Sequence, residues 1–287
     1  MIRIALPNKG RLAEGARELL ELAGLEFEMR GDRSLQAALG GDFLALFVGA
    51  RDIPEFVADG AADLGITGRD LIDESARDVV TLLDLGFGRC HLAVAARDDS
   101  GIGSVEDVPQ GARVATVFPR LAAQYFRELG RAVTIVPVSG AAEIAPHLGV
   151  ADVIVDLVST GSTLKVNGLR EIATVLQSTA TLIARGDLME QPDARRRIDE
   201  LLAALGSVLQ ARNKRYLMAN VPRAALVEVK QILPGISGPT IVDVLDGGTF
   251  VAAHAVVEQR DIYRVIADLK KIGATGILVT RIERLMA

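Results

Sequence analysis

Residues 151–164 read ADVIVDLVSTGSTL. An apolar run reaches Asp156, and Ser159, Thr160, Gly161, Ser162 and Thr163 then follow in consecutive places. A strand that stops near a carboxylate and opens into hydroxyls and glycine gathers backbone N–H groups and Oγ donors in one concavity, the chemistry that holds a phosphate. A single acid beside such a loop suits the hydroxyls of a ribose. The same residue types also build ordinary turns and helix caps, so spacing alone leaves both readings open.

Cations gather at other expected strand ends. Lys9 and Arg11 bracket Gly10 in the turn after the first strand, Arg51 opens a helix after another, and Thr67, Gly68, Arg69 and Asp70 follow a third. In an α/β sheet these carboxyl ends are the ligand-facing edge. Lys9 and Arg11 fit either a polyphosphate or a solvated turn. Arg51 at a helix N-terminus opposes the dipole and has an electrostatic reason to seek an anion. Asp70 fits a nucleotide-facing loop or a plain first-turn helix position. Thr116, Phe118, Pro119 and Arg120 mark a similar junction further on, where Phe118 suits a base or the start of a buried helix face.

The elements that must position these groups alternate. Arg3 to Leu6, Phe43 to Val48 and Asp63 to Ile66 read as short apolar strands; Leu12 to Ala23 and Asp52 to Ala58 read as helices, the latter with Pro54 in its first turn. This order predicts a parallel sheet with crossover helices. The pattern restarts near Arg89 with HLAVAA, VATV, a helix from Pro119 to Leu129, TIVPV, a helix around Ala141 to His147, and VIVDLV. GAADLGI at Gly60 to Ile66 and GVADVIV at Gly149 to Val155 repeat one short phrase in the two lobes. Two doubly wound lobes facing a common cleft, as in periplasmic binding proteins, are the expected α/β fold.

Thr174 to Ala184 reads as one long strand returning to the first lobe, followed by a helix over Asp193 to Ala211 whose Arg195–Arg197 run is a solvated face. The remaining segment reads strand, helix, strand, strand, helix, strand over Arg215–Asn220, Pro222–Ile232, Thr240–Leu245, Phe250–Val257, Asp261–Ile272 and Gly276–Ile282. That βαββαβ order predicts a ferredoxin-like, ACT-like domain with an antiparallel sheet and helices on one face. The expected boundaries are 1–89 plus 180–212 for lobe I, 90–179 for lobe II and 213–287 for the C-terminal domain.

Composition bounds the function. The 287 residues carry a formal net charge of −5, which argues against a broad basic nucleic-acid surface. Trp is absent and aromatics make up 4% of the chain, so a nucleobase has few rings to stack on. Cys90, the single cysteine, rules out an intramolecular disulfide and reads as a small core residue. His91, His147 and His254 lack metal-ligand spacing. No stretch reaches the roughly 18 apolar residues of a membrane span, and the amino end is too short for a signal sequence, so a cytoplasmic protein is expected.

With Glu143, Gly149 and Asp152 added, the Asp156–Thr163 loop falls at the spacing of the 5-phosphoribosyl 1-diphosphate loop of ATP phosphoribosyltransferases, which this segment resembles. IALPNKGRL (Ile4 to Leu12), ARDIPEFVADGAADLGITGRDL (Ala50 to Leu71) and LPGISGPTI (Leu233 to Ile241) look like the same family in the same order, in its long form. The resemblance implies transfer of a phosphoribosyl group to N1 of the adenine of ATP with Mg²⁺ brought by the diphosphate. It assigns Asp156 to the ribose and Ser159, Thr160, Gly161, Ser162 and Thr163 to the 5-phosphate. Lys9, Arg11, Arg51, Thr67, Gly68 and Asp70 fall to ATP or diphosphate. Leu157 follows Asp156 where many other phosphoribosyltransferases place a second acid. The resemblance further implies inhibition by histidine through Ile236, Gly238, Thr240 and Ala274, and a homo-oligomer growing from dimers to hexamers. Gly238 stands where some relatives carry a hydroxyl. A non-catalytic amino-acid or nucleotide sensor, with two lobes around a cleft and a ferredoxin-like tail, is the competing reading.

Overall fold

The computed structural model describes residues 1–28, 31, 34–244 and 248–286, and divides into two compact units: 1–21 with 25–199, and 22–24 with 200–287. The first unit holds both lobes. Lobe I begins β1 (Ile2–Pro7), α1 (Arg11–Leu22), β2 (Phe27–Glu28), β3 (Gln36–Leu39), β4 (Phe43–Val48), α2 (Ile53–Ala58), β5 (Leu64–Gly68), α3 (Arg69–Ser75) and β6 (Val80–Asp84). Lobe II follows with β7 (Cys90–Arg97), β8 (Ala112–Thr116), α4 (Pro119–Glu128), β9 (Val133–Pro137), β10 (Val153–Val158), α5 (Ser162–Val166) and β11 (Leu169–Ser178). β12 (Ala180–Ala184) then returns to lobe I.

The sheets run β2-β3-β4-β1-β5-β12-β6 and β11-β7-β10-β8-β9. Only β4-β1-β5 and β10-β8-β9 are parallel; every other neighbour is antiparallel. The expected parallel sheet with crossover helices is thus found in these triplets, and the strands flanking them are antiparallel. Crossover helices dictate the parallel triplets, but β7, β11 and β12 arrive from the opposite lobe or from a turn and enter head to tail. The expected single strand over Thr174–Ala184 is also two strands, broken at Thr179 and belonging to different sheets. The helix expected at Ala141–His147 shrinks to a 3₁₀ turn at Ala142–Ile144.

Two segments cross between the lobes side by side. Leu85 N–H donates to the Ala180 carbonyl and Ala180 N–H to the Phe87 carbonyl, both at 2.9 Å. A pair of hydrogen-bonded crossings is the geometry of a hinge.

The repeated phrase has a structural meaning. Arg3 on β1 donates from its backbone N–H to Asp63 Oδ2 at 2.9 Å and from its guanidinium to Asp63 and the Gly60 carbonyl. Arg113 on β8 does the same to Asp152 Oδ2 at 2.8 Å and to the Gly149 carbonyl. Gly60 and Gly149 hold φ of +75° and +66°, a turn that side chains resist. Each lobe thus bolts its parallel strands at the end opposite the ligand edge, leaving the carboxyl ends to the site.

Apolar spacing explains the packing. α1 buries Ala16, Leu19 and Leu20 at helical intervals, and lobe II centres on Val94, Val114, Val155, Phe118 and Phe126. The second unit runs from within α6 (Pro192–Ala211) through β13 (Lys214–Pro222), α7 (Leu226–Ile232), β14 (Thr240–Asp243), β15 (Phe250–Glu258), α8 (Ile262–Lys271) and β16 (Thr275–Arg281). Its sheet order β14-β15-β13-β16, antiparallel throughout, is the ferredoxin-like arrangement expected from the element order. Leu217, Ala219 and Val221 alternate inward against Leu269 of α8. Leu245, the expected end of β14, lies outside the described residues.

Candidate active site

The carboxyl ends of β1, β4, β5, β8 and β10 converge on a cavity of about 380 Å³ between the lobes. Lys9, Gly10, Arg11, Arg51, Gly68 and Asp70 line it from lobe I; Phe118, Asp156 and Leu157 line it from lobe II. A second cavity of about 160 Å³ adjoins it, walled by Glu143 and the loop from Asp156 through Ser159, Thr160, Gly161 and Thr163. Asp156 belongs to both.

The loop turns at Gly161, whose φ of +71° precedes the short helix α5. Thr160 and Ser162 pair through their hydroxyls at 2.9 Å. Ser159 accepts a hydrogen bond from the Arg11 guanidinium. Arg11 is the first residue of α1, and it also reaches the Arg89 carbonyl at 3.4 Å. Arg51 lies in the turn before α2, not within the helix; it donates to the Val117 carbonyl at 3.0 Å and stacks over the Phe118 ring at 5.5 Å. Phe118 itself is buried in the lobe II core.

Charge is the decisive feature. Lys9 is exposed and, among the described residues, without a partner; Arg11 and Arg51 hold only neutral acceptors and a ring. Away from the cavity Arg3, Arg77 and Arg113 hold carboxylates, as does Arg69 beside it, while Arg131 and Arg170 are taken up by backbone carbonyls. Among the described residues Lys9, Arg11 and Arg51 are three cations without counterions around one cavity, an arrangement suited to an anion. Facing them, burial pushes the Asp156 carboxyl above its usual range; the Leu157 N–H at 2.8 Å pulls it down, and the Glu143 charge adds to the rise.

Other expected contacts have structural duties. Thr67 is fully buried and donates to the Ala50 carbonyl at 2.7 Å, fixing the turn that carries Arg51. Asp70 is buried; its carboxylate accepts from Ser178, whose hydroxyl accepts from the Asp70 N–H at 3.1 Å. Thr116 links the Val155 carbonyl to the Phe118 N–H. Burial, together with the Asp70 charge, raises the Cys90 thiol, with Arg11 and Ser178 opposing, so Cys90 is a wall of the cavity and no thiolate nucleophile. Sequence reasoning misses Ser178 and Glu74; the only signal for Ser178 is a hydroxyl inside an apolar strand run.

A family model described as ATP phosphoribosyltransferase matches residues 49–207, and one for the C-terminal domain of the same family matches 211–284. A protein from Gemmatimonas aurantiaca named ATP phosphoribosyltransferase is 58% identical over the whole of both chains. The chain belongs to the ATP phosphoribosyltransferase family. A Haloarcula marismortui relative of the same name is 48% identical over 99% of this chain and all of its own. A solved structure, the ATP phosphoribosyl transferase (HisG:HisZ) complex from Thermotoga maritima, is 28% identical with a TM-score of 0.64, covering 73% of this chain and 99% of that one. The family's C-terminal domain at 211–284 makes this a long-form ATP phosphoribosyltransferase, the enzyme of the first step of histidine biosynthesis.

Of the four residues expected to bind histidine, Thr240 and Ala274 stand at opposite edges of the C-terminal sheet. Thr240 starts the edge strand β14, while Ala274 precedes β16 at the opposite edge, with β15 and β13 between them. Three strand spacings, about 14 Å, separate those edges. Among the described residues no helix is long and apolar enough to cross a membrane, and no three His, Cys, Asp or Glu side chains cluster to hold a metal ion.

Proposed function

We propose that the interlobe cavity is where this phosphoribosyltransferase joins its two substrates. The observation that carries the reading is the placement of Lys9, Arg11 and Arg51, cations without carboxylate partners among the described residues, opposite Asp156 and the hydroxyl loop. Ser159, Thr160, Gly161, Ser162 and Thr163 hold the 5-phosphate through N–H and hydroxyl donors, and Asp156 holds the ribose hydroxyls. Lys9, Arg11 and Arg51 take the diphosphate and the ATP phosphates, while Gly68 lets the chain approach the nucleotide closely and Thr67 and Asp70 brace that wall.

Adenine N1 carries a free lone pair, so the reaction needs no base to create its nucleophile. The N1–C1 bond forms as the C1–O bond to diphosphate breaks, and the electron pair leaves with diphosphate. The protein's task is alignment and charge compensation. Arg11 and Arg51 meet the charge growing on the leaving group, and the Asp156 carboxylate faces the positive charge growing on the sugar. Glu143 and Asp156 offer hard oxygen donors in one small cavity, which fits Mg²⁺ arriving with the diphosphate. When bound, that ion neutralises diphosphate charge.

Lobe I is 1–89 plus 180–212, lobe II is 90–179, and 213–287 is a regulatory domain for histidine. Because Thr240 and Ala274 lie on opposite edges, a histidine touching both sits between two copies, which ties inhibition to assembly from dimers to hexamers. The reaction belongs in the cytoplasm, where ATP is supplied. The test is direct: purified protein with ATP, phosphoribosyl diphosphate and Mg²⁺ yields phosphoribosyl-ATP and diphosphate, and Asp156→Asn loses phosphoribosyl diphosphate binding while retaining histidine binding. Retention of both ligands by that variant moves the site elsewhere. Binding of both substrates without product in the unaltered protein favours the sensor.

A further inference from the structure

Helix α4 of lobe II has no cap of its own. Its N-cap position is Phe118, which offers no side-chain acceptor, and Pro119 follows in the first turn. The next two N–H groups, those of Arg120 and Leu121, are among the donors that every helix start leaves without an internal partner. Both are satisfied from the other lobe: Arg120 N–H donates to Glu74 Oε1 and Leu121 N–H to Glu74 Oε2, each at 2.9 Å. The contact is reciprocal, since the Arg120 guanidinium donates to the Asp73 carbonyl. A half-buried carboxylate against a helix N-terminus gains from both hydrogen bonds and the dipole.

The position of this contact gives it consequence. Glu74 sits on α3, which directly follows the turn bearing Gly68 and Asp70; α4 directly follows the junction of Thr116 to Phe118. The two helices therefore carry the two walls of the cavity. The paired chain crossings at 85–87 and Ala180 join the lobes, and rotation of one lobe about them would make or break the α3–α4 contact. In an opened molecule, water replaces Glu74 on the α4 N–H groups.

We propose that Glu74 is a closure latch, a positioning residue that caps α4 only when the lobes are closed and so sets the fraction of enzyme with both cavity walls in reacting register. The proposal rests on the placement of both substrates between the lobes. Closure stabilised by a cap acts on apparent affinity: a closed state less populated before binding weakens every ligand that needs it, by the same factor.

The experiment uses full-length Glu74→Ala and Glu74→Gln, with amide exchange over residues 119–124 and steady-state kinetics in which each substrate is varied at a subsaturating level of the other. Glu74→Ala is expected to speed exchange at Arg120 and Leu121 and to raise KM for ATP and phosphoribosyl diphosphate together, by about 5- to 30-fold, the range of a lost charged cap. Its kcat changes by less than about twofold, because saturating substrate restores closure. Glu74→Gln keeps one acceptor and loses the charge, so its KM values fall between; it carries the test alone should the alanine variant not fold. Unchanged KM values, or a loss confined to kcat, overturn the latch. Asp156→Asn separates the two ideas: if it abolishes phosphoribosyl diphosphate binding while Glu74→Ala is silent, the site stands and the latch falls; if it binds normally, the site reading on which the latch depends is what fails.

Discussion

The Arg11 guanidinium of lobe I donates to the Ser159 hydroxyl of the hydroxyl-rich loop in lobe II. These residues are 148 positions apart, and their contact places a full positive charge at the mouth of a loop of neutral donors. Arg11 has no ion pair among the described residues, so an incoming phosphate or diphosphate meets a charge that no carboxylate has already neutralised. Replacing Arg11 by Ala should raise KM for phosphoribosyl diphosphate by roughly 30-fold, the worth of about 2 kcal/mol from a charge-assisted contact. Arg11→Lys keeps the charge without the fork and should lie between. Ser159→Ala, losing one hydroxyl, should cost about fivefold. Initial-rate kinetics in each substrate measure all three, and an unaltered KM in Arg11→Ala would take that residue out of the site.

Asp156 should show opposite effects on activity and stability. Its carboxyl is raised in the folded chain by burial and by Glu143, so stability from this group is full below the ordinary carboxylate pKa and declines as pH rises through the raised value. Near neutral pH the ionised group is therefore a cost to the unliganded fold. Asp156→Asn should melt about 1–3 °C higher at pH 7, with the gain vanishing in acid below the ordinary value, while phosphoribosyl transfer falls by at least about 100-fold. Differential scanning fluorimetry across pH beside activity assays checks both. A lower melting temperature at pH 7 would contradict the strain assigned to the site.

The paired strand bolts should differ in worth. Asp63 is 8% exposed; burial opposes its ionisation, but hydrogen bonds from Arg3 and the charges of Arg3 and Arg185 win and hold it below the usual range. Asp152 is held down by the Arg113 N–H foremost and is far more exposed, its side chain at 40%. Stability from either lowered carboxyl is present above the ordinary pKa and is lost as pH falls through the depressed one. Asp63→Ala should cost about 2–3 kcal/mol and Asp152→Ala about 1 kcal/mol near neutral pH. Urea unfolding at pH 7 and at pH 4 measures the pair. Equal costs would mean that burial does not set their weight.

Inhibition should complement between copies. Thr240→Ala and Ala274→Leu alter opposite edges of the regulatory sheet, so each alone should abolish most histidine inhibition. Oligomers assembled from an equal mixture should recover about a quarter of the sites, those pairing two unaltered edges. Rate measurements against histidine concentration on mixed and unmixed preparations read this directly. No recovery in the mixture would place the effector within one chain.

The chain's order along the sequence settled its class. Apolar runs alternating with helical spacing announced two α/β lobes, the βαββαβ order announced the third sheet, and ADVIVDLVSTGSTL announced a strand ending in a hydroxyl- and glycine-rich turn, because backbone periodicity and turn chemistry are local properties. The repeat GAADLGI and GVADVIV was legible as a phrase, while its purpose, an Arg to Asp bolt in each lobe, required Arg3 and Arg113 to be brought alongside from distant strands.

Tertiary structure decided what depends on neighbours. Strand direction in β7, β11 and β12 follows from where the chain crosses between lobes, and Thr179 breaks one apolar run because its two halves serve different sheets. Glu74 carries no signal of its own in the sequence and becomes a cap only when α4 of the other lobe meets it. Thr240 and Ala274 read as one effector set until the sheet order puts them on opposite edges. Local residue types fix which groups can do chemistry; which charges go without partners, and which partners face each other, is settled only when long-range packing closes distances that the sequence leaves open.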